Sequence, residues 1–70
     1  MNTAKRFGYN LSLARAEARM TQRELAAKVS LSHVTLSRYE NGWANPHLDQ
    51  LVKLAGACDV QVRDLLRGIG

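Results

Sequence analysis

Apolar residues recur along this chain at intervals of three and four, and nowhere alternate with polar ones over a useful length, so the pattern predicts helices and no strands. Phe7, Leu11, Ala14 and Ala18 form one stripe of a first helix running from roughly Lys5 to Arg19. "TQRELAAKV" opens a second. Thr21 is placed to cap it, Glu24 three residues on to reach back, and Leu25 and Val29 to face inward. A third helix is capped by Ser32 and ends at "ENG", where Asn41 or Gly42 can take the left-handed conformation that terminates a helix. "ANP" restarts the chain, with Asn45 as cap and Pro46 as first residue of a fourth helix whose inner face carries Leu48, Leu51, Leu54, Ala55 and Cys58. A short fifth helix, about Gln61 to Arg67, presents Val62, Leu65 and Leu66 before Gly68 stops it.

Seventy residues make one small domain, residues 1–70, with no room for a deep catalytic pocket. Hydrophobic residues at 46% are too many for a disordered tail, and no apolar run approaches the ~20 residues of a membrane span. A single cysteine, Cys58, excludes an intramolecular disulfide, and "MNTAKRFGYN" lacks the apolar core of a secretory signal, so a cytoplasmic location is the expectation. Ten Lys and Arg against six Asp and Glu give a formal charge of +4, which favours a polyanionic partner. His33, His47 and Cys58 have no metal-site spacing, and there is no nucleophile–base–acid set, phosphate-binding glycine loop or carboxylate pair on one helix face. Neither an enzyme nor a metal or organic cofactor is expected, nor a small-molecule ligand or a membrane.

A two-turn helix, a tight connection and a helix of two to three turns is the helix-turn-helix plan. "TQRELAAKVSLSHVTLSRYENG" resembles the helix-turn-helix of the Cro/repressor family, the lambda-repressor-like or xenobiotic-response-element type. The resemblance covers about Phe7 to Leu66, with "FGYNLSLAR" matching the family's first helix, "NPHLDQLVKLAGACDV" its fourth and "QVRDLL" its fifth. It implies an all-α, compact five-helix domain that binds double-stranded DNA with its third helix in the major groove, as a homodimer on a two-fold operator.

The third helix can be read independently of that likeness. At about 100° per residue, His33, Val34, Ser37 and Arg38 share one arc while Leu36 and Tyr39 lie on the other side. His33 and Arg38 can donate to base acceptors, Ser37 can donate or accept, and Val34 can pack on a thymine methyl. The same arc would also serve as an ordinary solvated face.

Phosphate-contacting candidates are Gln22, Arg23, Thr35, Asn41 and Trp43. Gln22 stands where the resemblance implies a phosphate contact and a brace for the third helix, in a turn that also offers free backbone N–H groups; an ordinary surface helix former is the alternative. Arg23 either reaches the backbone or merely adds charge. Trp43 occupies a loop where the family often has Lys or Arg; its indole N–H suits a phosphate, and burial is the alternative. Arg15 and Glu40 match a structural ion pair that, in related proteins, ties the first helix to the end of the third; two independent surface charges are the alternative. Three positions depart from the family. Ser30 stands where glycine is usual in the turn, and positive φ there would store strain on the order of 1 kcal/mol unless the turn itself differs. Arg19 stands where glycine often ends the first helix, and Asp59, a residue that tolerates the left-handed region better than most, where glycine often follows the fourth.

These readings converge on a transcription regulator, a repressor or controller protein of phage, plasmid or bacterial type. Leu65, Leu66 and Ile69 are its expected dimer surface, although Leu65 also suits the core. Regulation is expected to come from dimer concentration, proteolysis or a partner protein and not from a ligand pocket in the same chain. The competing reading is a protein-interaction module, an antitoxin or adaptor built on the same fold.

Overall fold

Five helices follow one another in a computed structural model that describes residues 2–70: α1 (Thr3–Glu17), α2 (Gln22–Lys28), α3 (His33–Glu40), α4 (Leu48–Ala57) and α5 (Val62–Leu65). Four of them start where a polar side chain accepts from a backbone N–H in the first turn: Asn2 from Lys5, Thr21 from Glu24, Ser32 from Thr35 and His47 from Gln50. Thr21 and Glu24 satisfy each other's backbone N–H reciprocally, at 3.1 and 2.8 Å, a capping box of the expected kind. α5 starts after Gln61, whose N–H donates to the Asp64 carboxylate at 2.8 Å.

One side of each helix meets a shared core. α1 supplies Phe7, Leu11 and Ala14, α2 and its cap supply Leu25, Ala26 and Val29, α3 supplies Leu36 and Tyr39, α4 and its cap supply Leu54, Ala55 and Cys58, and α5 supplies Leu65. Leu11, Leu25, Leu36, Leu54 and Leu65, one per helix, are fully buried, and each such side chain stabilises the fold by about 1.5–3 kcal/mol relative to leaving it in water. α3 packs on both α1 and α2, while α5 is held between α1 and α4. Asn10 fixes that end of the molecule, donating to the carbonyls of Leu65 at 3.0 Å and Arg67 at 2.8 Å. Burial raises the Cys58 thiol above its ordinary range, as expected of a core thiol.

Helix ends follow one rule. After α1, α2, α3 and α4 the chain enters the left-handed region at Arg19, Ser30, Gly42 and Asp59, with φ of 59°, 56°, 76° and 58°. The next residue then donates back across the last turn: Met20 to Arg15, Leu31 to Ala26, Trp43 to Arg38 and Val60 to Ala55. This is the Schellman arrangement, in which an apolar residue just past the turn commonly packs back on the helix. Met20, Leu31 and Val60 pack against the core; Trp43 does not and stands 75% exposed. The three non-glycine positions singled out in the sequence are therefore left-handed in the folded chain.

The start of α4 differs from expectation. Its cap is His47 and its first residue Leu48, so neither Asn45 nor Pro46 opens the helix. Ala44 and Pro46 are instead half-buried in a connecting stretch, where Pro46, Phe7, Leu51, Leu66 and Ile69 line one shallow apolar cleft. Leu48, expected on the inner face, is 72% exposed, because it lies in the first turn at the flank of the buried stripe, beside the exposed Val52 one turn on. The fifth helix is also shorter than expected, since the chain turns after Leu65 and reaches positive φ at Gly68.

Candidate nucleic-acid interface

α3 exposes the arc that its sequence pattern requires. Leu36 and Tyr39 are buried, Val34 is 60% exposed, Arg38 is exposed, and His33 and Ser37 are half-buried beside them. Arg38 belongs to neither of the two ion pairs formed among the described residues, Arg15–Glu40 and Arg67–Asp64. Its guanidinium is thus a charged donor with no protein partner of opposite sign, on a short helix whose other side is fixed in the core.

What holds α3 in place is a polar chain along its inner edge. Arg15 of α1 grips the Glu40 carboxylate with Nε at 2.7 Å and Nη2 at 3.1 Å, and its Nη1 donates to the Met20 carbonyl at 2.9 Å. Gln22 Nε2 donates to the same carboxylate at 2.9 Å, and Gln22 Oε1 lies 3.0 Å from His33 Nε2. Glu40 is the last residue of α3, where its charge opposes the helix dipole. Only 6% of its side chain is exposed; the doubly bonded Arg15 and the Gln22 amide offset that burial, and the same contact raises the Arg15 pKa further.

A second close contact sets the distance between the helices. A Cβ at Gly8 would lie 2.5 Å from the carbonyl oxygens of both Tyr39 and Glu40, so only glycine lets α1 come this near the end of α3. In the sequence Gly8 carries one weak signal, a glycine on the flank of an otherwise well-formed helical stripe.

The flanking candidates divide. Arg23 is exposed in the first turn of α2. Thr35 Oγ1 accepts from Ser32 Oγ at 2.9 Å, which leaves its own hydroxyl proton available. Asn41 is turned back on α3: its Nδ2 donates to the Ser37 carbonyl at 2.8 Å and to Ser37 Oγ at 3.2 Å. Gln22 keeps one amide proton free after its bond to Glu40. The exposure of Trp43 rules out burial in this chain as its role. Lys5, not among the candidates, lies against the turn that carries Trp43, since a Cβ at Gly42 would sit 2.6 Å from its Cγ. Only tertiary packing brings that lysine there.

The arrangement of α2 and α3 matches known proteins along most of the chain. A helix-turn-helix family model, HTH_3, fits residues 11–65. The chain belongs to this Cro/repressor-type helix-turn-helix family. Over 59 residues it is 37% identical to the HTH-type transcriptional regulator ImmR of Bacillus subtilis, an alignment covering 84% of this chain and 46% of ImmR. The chain thus spans about half the length of that relative. Its fold is also that of the clp gene regulator ClgR of C. glutamicum, with a TM-score of 0.90 at 29% identity, covering 94% of this chain and 85% of ClgR. The restriction-modification controller protein C.AhdI of Aeromonas hydrophila superposes with a TM-score of 0.84 at 31% identity, covering 89% of this chain and 94% of C.AhdI.

Proposed function

We propose that this helix-turn-helix domain is a sequence-specific transcription regulator that binds duplex DNA, with α3 in the major groove and no catalytic role. The observation that carries the reading is the outward arc of α3: an unpaired guanidinium at Arg38, an exposed methyl pair at Val34 and a hydroxyl at Ser37. Arg38 suits the O6 and N7 acceptors of guanine, and Val34 suits a thymine methyl. Around the arc, Gln22, Arg23, Thr35, Trp43 and Lys5 have donors for phosphates, which position a protein without reading sequence. The related regulator ImmR and controller C.AhdI support a regulatory role, as a repressor or controller.

One such helix reads only a short half-site, so affinity and specificity favour a homodimer on a two-fold site, with half-sites about 34 Å apart. Leu65 cannot serve the interface, because it is completely buried in the core of the single chain. Leu66 and Ile69 border the apolar cleft with Phe7, Pro46 and Leu51 and carry the proposed contact.

Selection of bound sequences from random duplex DNA, followed by titration at several salt concentrations, tests the reading. A two-fold symmetric site whose affinity falls steeply with salt is expected. Binding to no duplex at low salt contradicts it, and a tight complex with a protein in its place would point to the antitoxin or adaptor class.

A further inference from the structure

We infer that the polar chain Arg15–Glu40–Gln22–His33 fixes the ring of His33 so that it accepts, and does not donate, a hydrogen bond from a base. The inference rests on the proposed DNA reading and goes beyond it by naming which chemical group the first residue of α3 recognises.

Each bond in the chain decides the next. Arg15 has only donors, and Glu40, ionised against it, has only acceptors. The group of Gln22 at 2.9 Å from Glu40 Oε1 must therefore be the amide nitrogen, since an amide oxygen there would face a carboxylate oxygen. That leaves Gln22 Oε1, an acceptor, toward His33, and an acceptor at 3.0 Å requires a proton on His33 Nε2. A neutral imidazole carries one N–H, so Nδ1 then holds a lone pair. The ring's one hydrogen bond among the described residues is made by Nε2, Nδ1 is not sealed in the core, and His33 lies on the same arc as Val34 and Arg38.

The consequence is a reversal of chemistry. A donor at this position would seek guanine O6 or N7 or thymine O4, whereas an Nδ1 acceptor seeks the exocyclic amino group of adenine or cytosine. The Arg15–Glu40 ion pair at the far end of α3, whose members are 25 residues apart in sequence, thereby sets base preference at the near end. Gln22 acts as a positioning residue, and His33 makes the contact.

The test uses the wild-type protein and its selected duplex. The base facing His33 is the one whose preference is lost in His33→Ala and in no other outward-face variant. Replacing that base by an analogue without its exocyclic amino group, purine for adenine or 2-pyrimidinone for cytosine, should weaken binding about three- to tenfold per half-site. A 7-deazapurine at the same base pair should bind unchanged. In His33→Lys, which has only donors, preference at that base should move to guanine or thymine. Long-range proton–nitrogen NMR of the free protein at about pH 8, above the ordinary imidazole range, should show the proton on Nε2. A guanine or thymine facing wild-type His33, a loss on 7-deaza substitution alone, a proton on Nδ1, or a selected site that His33→Ala leaves unchanged overturns the inference while leaving DNA binding intact. Failure to select any duplex removes the DNA reading itself.

Discussion

Arg15 and Glu40 are joined by two hydrogen bonds, at 2.7 and 3.1 Å, across 25 residues of sequence, with 20% and 6% of their side chains exposed. The carboxylate is the more deeply buried partner, so its loss leaves a guanidinium facing a site built for a negative charge. Glu40→Gln should lower stability by about 2 kcal/mol, the scale of hydrogen bonds to charged groups, and by much more than Glu17→Gln on the exposed side of α1. Urea denaturation of both variants, with Arg15→Ala to complete a double-mutant cycle, measures the coupling. Equal, small losses would show that Glu40 is energetically unpaired.

Gly8 and Gly56 make opposite predictions from the same substitution. At Gly8 a Cβ meets the backbone carbonyls that end α3, whereas at Gly56 it meets nothing within 4 Å. Gly8→Ala should destabilise by about 1–3 kcal/mol or more, the scale of an overpacked core. Gly56→Ala, in the interior of α4, should stabilise by up to about 1 kcal/mol. Thermal unfolding midpoints moving in opposite directions are expected; a harmless Gly8→Ala would contradict the close approach of α1 and α3.

Left-handed backbone at Arg19, Ser30 and Asp59 makes each a site where glycine relieves strain. The relief, about 1–2 kcal/mol for an ordinary residue, is opposed by the extra freedom that glycine gives the unfolded chain, about 0.4–1 kcal/mol. Arg19→Gly and Ser30→Gly should therefore gain up to about 1.5 kcal/mol. Asp59→Gly should gain least, because aspartate tolerates this region best. Chemical denaturation that ranks Asp59→Gly first would count against this account.

The capping box gives a pH dependence of definite sign. Hydrogen bonds from the backbone and side chain of Thr21 hold the Glu24 pKa below its ordinary value. A carboxylate depressed on folding contributes stability above its unfolded pKa and loses it as pH falls through the folded value. Glu24→Gln should thus cost stability at neutral pH and remove part of the decline on the acid side of the carboxylate range. Denaturation midpoints collected from pH 7 downward should converge for the two proteins; a constant gap would contradict the mechanism.

Capping and turn residues were legible before the structure because their interactions span three or four positions. Thr21 with Glu24, Ser32, and the glycine-like sites Arg19, Ser30 and Asp59 are all of this kind. So was the division of α3 into a buried side with Leu36 and Tyr39 and an outward arc. Residues set by tertiary packing were not. The cap at His47 in place of Asn45 depends on where Pro46 packs, and the Gly8 contact depends on how α1 crosses α3. Gln22 illustrates both limits. Its place in the second helix was readable, but its bonds to Glu40 and His33 join residues 18 and 11 positions away.

Base reading by the outward face of α3 is tested most directly by specificity profiles of wild type, Arg38→Ala and Gln22→Ala on one randomised duplex library. Arg38→Ala should cost about 1–3 kcal/mol per half-site and relax preference at one base pair, the signature of a lost bidentate contact to guanine. Gln22→Ala should weaken binding to all sequences and, outside the base facing His33, leave the profile as it was. An unchanged profile in Arg38→Ala would mean that a different face of α3 enters the groove.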